Sequence, residues 1–562
     1  MATSHEIPKE MTAWPMFGAG LENLGKDDKP CVIPVPGIAD DELLVKIDAI
    51  GLCFSDIKLI RAGLEHPRVV SKDLAADPVI PGHEAVMTVV KVGPKLAGQF
   101  KAGQRYIIQA DIYVKGKGFA YGYAIDGGMS LYSRIDQRVL NGDEGCYLLP
   151  LADSIPAGVA ALIEPWTCVI ASYRIDYRDA PATGGKALLV SQHGRAKTYE
   201  AGAALKAAKP ASLLIRGLEQ DAVAKLRAEL PDTKITVIET LTDAHKGFDD
   251  IFICDVNDHD LAEDAAKRGG RFAVISFVGE FLDVRWSFDV GSIHYEQWFY
   301  QGTPSRDLSS AYGRNVRAAK KPGGSCWLLG GAGAMGQMHT QLAVEDPNGP
   351  KRVLVTDLDD IRIKKVAEML KDKVAARGVE FKTLNPKSFA TPADFYKAVR
   401  EFAPDGFDDI VMLVPVVPIL EDADAFMGND CVMNIFAGIP AGKQGKLNVS
   451  GIIKDGHRYI GSSGSKTADL RHTLDLVERK QINPVTALAA VGGMNALKQG
   501  LEGVANAKFP GKTVIFPHCP DLPLTPVEEL GKVIPKVEAT LSSEGFFTQK
   551  TEDAIFKKFG KG

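Results

Sequence analysis

Short apolar runs cut by glycine and proline dominate the first part of the chain. The segments 42–50 (ELLVKIDAI), 86–92 (VMTVVKV) and 105–109 (RYIIQ) are rich in β-branched residues, the pattern of strands closed by turns. Residues 1 to about 150 therefore predict an all-β unit, most simply a small barrel. From about 151 to 182 the period changes: SIPAGVAALIEPWTCVIASYR spaces its apolar residues as a helix does, on either side of Pro165. After Gly185 the runs ALLV, SLLI, IFIC and FAVISF are apolar without alternation. Strands of a parallel sheet covered on both faces read this way. The same alternation of strand and helix starts again after Gly323, with CWLLG, RVLVTD, IVMLV and VMNIFAG.

That restart is a repeat. GFDDI occurs at residues 247–251 and again at 406–410, a shift of 159; Gly279 and Gly438 share that shift, as do Gly302 and Gly461. Three landmarks at one offset indicate a duplicated α/β unit. Nearer the start of each copy the offset reads as 140, aligning Leu189 with Leu329, so the second copy is expected to be about 20 residues longer around LKDKVAARGVEFKTLNPKSF. The tail from KFPGKTVIFP (508–517) reads as strand then helix and is expected to return to the barrel. The expected organisation is a catalytic barrel over 1–182, a degenerate unit over 183–320, a nucleotide-binding unit over 321–490 and a returning segment over 491–562.

The second copy opens with CWLLGGAGAMG. Here a strand runs into G-x-G-x-x-G (Gly331, Gly333, Gly336, with Ala334 and Met335 between them) and then an amphipathic helix. The first glycine permits the tight turn, the second lets the backbone approach a pyrophosphate, and the third lets the helix pack on the strand. Asp357, 21 residues beyond Gly336 and at the end of RVLVTD, is placed to accept hydrogen bonds from the adenosine ribose. This favours NAD, and Arg362 leaves NADP as the alternative. Val414, Ala437 and Gly438, at the ends of later strands, fall where backbone groups meet the nicotinamide end. In the first copy the 140 offset puts Ser191, His193 and Ala196 in place of the three glycines and Gly217 in place of Asp357. That copy is expected to bind no dinucleotide and to serve structure.

Composition narrows the class. At 562 residues the chain needs several domains, and 45% apolar with 24% charged residues is globular. A net charge of −5 lacks the basic excess of a nucleic-acid binder. No apolar run reaches membrane-spanning length, the first twenty residues do not read as a signal peptide, and the eight cysteines contain no C-x-x-C pair. These features predict a cytoplasmic protein acting on a small molecule, without membrane or nucleic-acid partners, and compatible with a homo-oligomer.

Three segments ahead of the repeats carry metal-ligand chemistry: Cys53 in GLCFSDIK, His83 and Glu84 in PGHEAV, and Glu164 in LIEPW. A thiolate, an imidazole and one or two carboxylates with an open position suit a catalytic zinc, which would polarise an alcohol or carbonyl oxygen. Ser55 lies near enough in sequence to relay the proton.

These residues, with DGGMSLYSRI and GKTVIFP, resemble the zinc-containing medium-chain alcohol/polyol dehydrogenases over about 42–180 and 323–517, and within them the sorbose-1-phosphate reductase branch. The resemblance implies a GroES-like barrel beside a Rossmann domain. It also implies that Cys53, His83 and either Glu84 or Glu164 hold zinc, with the other glutamate exchanging or standing behind them. Three departures stand out. Met87 occupies a position where the family has glycine, no four-cysteine lobe is present, and Lys58 stands where many relatives have histidine. Lys58 suits contact with an anionic substrate, and Arg61, His66 and Arg68 could complete a phosphate or carboxylate pocket. The extra unit is expected to imitate a dimer partner by covering a sheet edge. The expected activity is zinc-assisted hydride transfer between a nicotinamide and a polyol or ketose, with or without a phosphate. The alternatives are a metal-free enoyl or quinone reductase and a non-catalytic NAD-sensing scaffold.

Overall fold

The computed structural model describes residues 7–192, 198–282, 285–314 and 317–561. The chain forms two compact units, one of residues 1–170 with 464–562 and one of residues 171–463. Both crossings come earlier than the sequence-based boundaries of 182 and 490, and Leu488–Gly493 is already a strand of the first unit's sheet.

The first unit is organised on the ten-residue strand Leu43–Leu52. Glu84–Val92 runs antiparallel along one edge; Tyr132–Ile135 and Lys512–Phe516 share the other. Two register shifts against Glu84–Val92, at Leu44/Val45 and Ile47/Ala49, bend the strand and help curl the sheet. Val45, Ile47 and Ile50 join Trp14, Met87 and Tyr121 in its core. The tail is built into this unit. Lys512–Phe516 also pairs in parallel with Leu488–Gly493, and Glu552 on the terminal helix Gln549–Phe559 accepts hydrogen bonds from the backbone N–H groups of Ala157 and Gly158 at 2.9 and 2.8 Å.

The second unit holds one twelve-stranded sheet. Its strands are β1 (Lys186–Ser191), β2 (Ser212–Arg216), β3 (Lys234–Val237), β4 (Phe248–Cys254), β5 (Gly269–Val278), β6 (Phe299–Thr303), β7 (Ser325–Leu329), β8 (Arg352–Thr356), β9 (Glu380–Leu384), β10 (Phe407–Met412), β11 (Met427–Ile435) and β12 (Arg458–Ile460). Across the sheet the order is β3-β2-β1-β4-β5-β6-β12-β11-β10-β7-β8-β9. Each half is thus a doubly wound 3-2-1-4-5-6 unit with parallel strands. The halves meet antiparallel at β6 and β12, where Tyr300 lies opposite Tyr459. Those two tyrosines are each other's repeat equivalents at the 159 offset, so a local two-fold axis passes between them. A second antiparallel ribbon, Arg285–Asp289 with Gln444–Asn448, is centred on Ser287 opposite Lys446, again 159 apart. One hydrophobic core runs through both halves and includes Phe288, Tyr300, Trp327, Leu447 and Tyr459.

Strand register corrects the offset at the start of the repeats. Leu188 faces Ile251 as Trp327 faces Ile410, an offset of 139 instead of 140, so Leu189 matches Leu328 and not Leu329. At β2 and β8 the offset is 140 (Ser212 and Arg352), which leaves Gly217 opposite Asp357. The difference of one residue falls in the turn and helix, and Ser191 takes the place of Gly330, not of Gly331. His193 and Ala196 lie outside the described residues. The second copy gains its length in the helix Asp360–Arg377, against Gln220–Glu229, and in the helix Pro392–Phe402, where the first copy has the single turn Leu241–Asp243. No helix among the described residues is long and apolar enough to cross a membrane.

Candidate active site

Cys53 ends an extended stretch (φ −124°, ψ 152°) and serves as N-cap of the helix Phe54–Ala62. Three residues on, Asp56 is fully buried and accepts the Cys53 backbone N–H at 3.0 Å. Its other oxygen lies 2.9 Å from His83 Nδ1. One carboxylate therefore closes the helix start and orients the imidazole. With Nδ1–H committed to Asp56, Nε2 is the ring nitrogen that a metal would take in place of a proton. Burial opposes a charge on His83, but the Asp56 carboxylate outweighs it and the imidazole's pKa is raised well above its usual value.

Glu84 starts the next strand and lies opposite Gly51. A Cβ there would come within 2.1 Å of Glu84 Oε2, so a side chain at this position would push the carboxylate aside. Glu84 Oε1 accepts from Lys512 Nζ at 2.5 Å, with both side chains buried. Burial works against the Lys512 charge, but Glu84 more than offsets this and keeps it protonated. Glu84 Oε2 is buried and has no hydrogen-bond partner. The ligand atoms of Cys53, His83 and Glu84 all lie within 4.8 Å of one another. Tetrahedral bonds of about 2.0–2.3 Å need donors roughly 3.5 Å apart, so a small contraction closes the set. A sulfur, a nitrogen and an orphaned carboxylate oxygen fit zinc, and a buried acceptor without a donor is the kind of group a cation satisfies.

Glu164 stands outside that trio, half-buried on the helix Ile163–Ala171. Burial, reinforced by the Glu84 and Asp111 charges and partly offset by His83, pushes its carboxyl up to about 7. One turn on, the Cys168 thiol donates to its Oε1 at 3.7 Å. Ser55 is half-buried in the first turn of the Phe54–Ala62 helix; Lys58 is exposed on the same helix, its Nζ 5.9 Å from the Phe54 ring centroid. Met87 is absorbed by the barrel core opposite Ile47. Sequence reasoning passed over Asp56 and Lys512. The first was legible as the fourth residue of a C-x-x-D capping box. The second, 428 residues from its partner, carried no local signal.

In the second unit the glycine turn stands at the carboxyl end of β7. Gly330 has φ +79°, and the Gly330 and Gly331 N–H groups donate to Thr356 O at 2.7 and 3.2 Å. A Cβ on Gly336 would lie 2.1 Å from Gly330 O, so the helix Gly336–Glu345 starts against the turn itself. At Gly333 the nearest atom to such a Cβ is 3.4 Å away; the absent side chain leaves open space there, not a packed contact. Met335, the N-cap, makes no side-chain capping bond, so the first amides of that helix are not spent on a cap. Ala334 is half-buried beside it. Asp357 follows β8 half-buried, and Arg362 lies 3.6 Å from Asp359. Val414 follows β10 and touches the turn, its Cγ1 standing 2.6 Å from where a Gly330 Cβ would be. Ala437 and Gly438 follow β11, and the Ala437 N–H donates to Met412 O at 2.8 Å. All of these groups gather at the carboxyl ends of β8, β7, β10 and β11, around the point where strand order reverses.

Residues 39–141 match the alcohol dehydrogenase GroES-like domain. The mannitol-1-phosphate 5-dehydrogenase of Aliivibrio fischeri is 24% identical over 95% of each chain, and the L-sorbose 1-phosphate reductase of Klebsiella pneumoniae is 22% identical over 92% of each. The 2R,3R-butanediol dehydrogenase of Bacillus subtilis, 13% identical, superposes with a TM-score of 0.50 over 90% of this chain and 99% of its own. Over residues 39–141 the chain has the GroES-like domain of alcohol dehydrogenases, and over nearly its whole length it is similar to these sugar-phosphate oxidoreductases.

Against the second repeat, the first is altered at the strand ends where the glycine turn would stand. Its opening helix, Gly202–Ala208, is cut to seven residues from the ten of Gly336–Glu345. Gly217, where the second repeat has Asp357, turns back with φ +86° so that a Cβ would lie 2.0 Å from Ser191 O. Asp255 replaces Val414 at the 159 offset. It is fully buried and accepts from Tyr199 Oη at 2.5 Å and from the Glu280 N–H at 2.9 Å, and Arg306 Nε lies 3.4 Å away. Side chains of the chain itself thus gather at this strand end.

Proposed function

We propose that this protein is a zinc-dependent, NAD-linked medium-chain dehydrogenase that interconverts a polyol and its ketose. The observation that carries the reading is the convergence of Cys53, His83 and Glu84 around an orphaned carboxylate oxygen. The names of the mannitol-1-phosphate and sorbose-1-phosphate relatives support a sugar alcohol as substrate. Zinc held by the three side chains would polarise the oxygen of the carbon that exchanges hydride with the nicotinamide.

The chain's own groups divide the remaining work. Asp56 fixes the tautomer and angle of His83, and Lys512 anchors one oxygen of Glu84 so that the other is free. Glu164, with its carboxyl near 7, can hold or release a proton beside the ligand set. Ser55 takes the alcohol proton outward. Asp357 accepts from the ribose hydroxyls. Arg362 is engaged with Asp359, which favours NAD over NADP. Val414, Ala437 and Gly438 border the nicotinamide end. The eight free cysteines suit a reducing compartment, in keeping with a cytoplasmic enzyme.

A panel of hexitols, hexitol phosphates and ketoses, followed by nicotinamide absorbance with and without chelator, tests the reading. Turnover of at least one polyol that a chelator abolishes and zinc restores is the expected result. Chelator-resistant turnover would point to a metal-free reductase. Dinucleotide binding without turnover of any member would point to a sensor.

A further inference from the structure

A tyrosine precedes each repeat, and the two are used differently. Tyr173 and Tyr312 stand 139 residues apart, the offset that also matches Arg178, paired with Asp250, to Arg317, paired with Asp409. Tyr312 Oη donates to Asp250 at 2.7 Å, the carboxylate that already holds Arg178. Tyr173 Oη instead meets Nδ1 of His339 at 2.6 Å. His339 is fully buried, three residues past Gly336 on the helix that opens the second copy. These residues all belong to the unit of residues 171–463.

Burial first, and the Lys320 charge next, push the His339 pKa well below its usual value, so the imidazole is neutral. Tyr173 therefore donates, Nδ1 accepts, and the proton sits on Nε2. Nε2 is buried without a hydrogen-bond partner, and the imidazole stands edge-on to the Phe436 ring with centroids 4.3 Å apart. On the far side, Lys320 Nζ lies 3.2 Å from the centroid of the Tyr173 ring. The ammonium is drawn to the ring face and pulls density from the phenol, which makes its O–H the better donor. In the first copy the 139 offset puts Pro181 in place of Lys320. A second tie joins the same segment to the same strand: Asn434 Nδ2 on β11 donates to Ser172 O at 3.4 Å. Phe436 follows β11 and precedes Ala437, whose N–H is fixed on Met412 O at the strand end assigned above to the nicotinamide.

We propose that Lys320, Tyr173 and His339 are positioning residues which, acting through Phe436, hold the end of β11 in the shape that grips the nicotinamide half of the dinucleotide. The inference rests on the reading of the protein as a nicotinamide-linked oxidoreductase. It goes beyond that reading in giving the second copy a support, reaching from ahead of the first copy, that the first copy itself lacks.

Titration calorimetry on the full chain with NADH and with ADP-ribose, which lacks the nicotinamide, separates this role from a general structural one. Y173F keeps the ring and removes only the donor. It should bind NADH about fivefold more weakly and ADP-ribose as the wild type does. K320Q should show the same selective loss, and K320R, which keeps a cation over the ring, should restore NADH affinity. Y312F, the matching change at the tyrosine held by Asp250, should leave both affinities unchanged. Equal weakening of both ligands in Y173F, no weakening at all, or the same loss in Y312F would overturn the proposal and leave the oxidoreductase reading in place. A K320R protein as weak as K320Q would remove the cation from the scheme. A wild type that binds neither ligand would refute the proposal and the reading together.

Discussion

Asp56 shows how much of the site hangs on a residue that need not touch metal or substrate. Its two oxygens are both committed, one to the Cys53 N–H and one to His83 Nδ1. Replacing it with asparagine keeps the volume and one acceptor but loses the charge that steadies the imidazole. D56N is expected to weaken zinc affinity about 10- to 100-fold in a competition titration against a chromogenic chelator, with little change in dinucleotide affinity. Unchanged zinc affinity would remove Asp56 from the scheme. At this scale the sequence was readable for candidate ligands, since Cys53, His83, Glu84 and Glu164 each stood in a distinctive phrase. It did not say which carboxylate joins the trio. That choice is made by Gly51, whose missing side chain makes room for Glu84 Oε2, and by Lys512, brought in from the far end of the chain.

At the scale of elements, the tail is where sequence reading was coarsest. A strand and a helix were legible after residue 508, yet not that the strand supplies Lys512 or that the helix caps residues 157–158 through Glu552. These contacts join segments hundreds of residues apart, beyond any local pattern. The tail also makes the first unit sensitive to acid. His518 follows the Lys512–Phe516 strand, its Nε2 lies 3.2 Å from Leu131 O, and burial, helped by Lys46, lowers its pKa to about 4. An unfolded histidine titrates near 6.5. As pH falls below that value the unfolded chain takes up the proton first, so folding stability declines between about 6.5 and 4. His518 accounts for up to roughly 3 kcal/mol of the decline. Denaturant melts of H518Q should show a shallower loss over that window, with His66, whose pKa burial likewise lowers to about 4, continuing to contribute its own share; an identical slope would mean that His518 titrates normally. The helical and strand periods located the repeats well, whereas the exact offset at the turn was missed. One inserted residue there is invisible to landmarks placed further along, and strand register alone reveals it.

On the scale of the whole chain, two doubly wound units come with one intact glycine turn. Titration calorimetry should give one nicotinamide dinucleotide per 562-residue chain. G333V, placed where a side chain has room in the protein alone, should abolish that binding without lowering the melting temperature appreciably. A stoichiometry of two, or residual binding in G333V, would assign a second site to the first repeat. The duplication was legible from three glycine and GFDDI landmarks; the joining of both copies into one sheet was a guess from edge protection, because nothing local in β6 or β12 says what it pairs with. The tyrosine axis has a further consequence. In a true homodimer every mutation strikes both sides of the seam, so the contact must complement itself. Here the two sides are separate codons of one gene, and each has been free to drift. Arg285 reaches Asp424 at 2.6 Å, while the mirror positions hold Gln444 and Ala265: a one-sided bond that no symmetric pair of subunits could make just once.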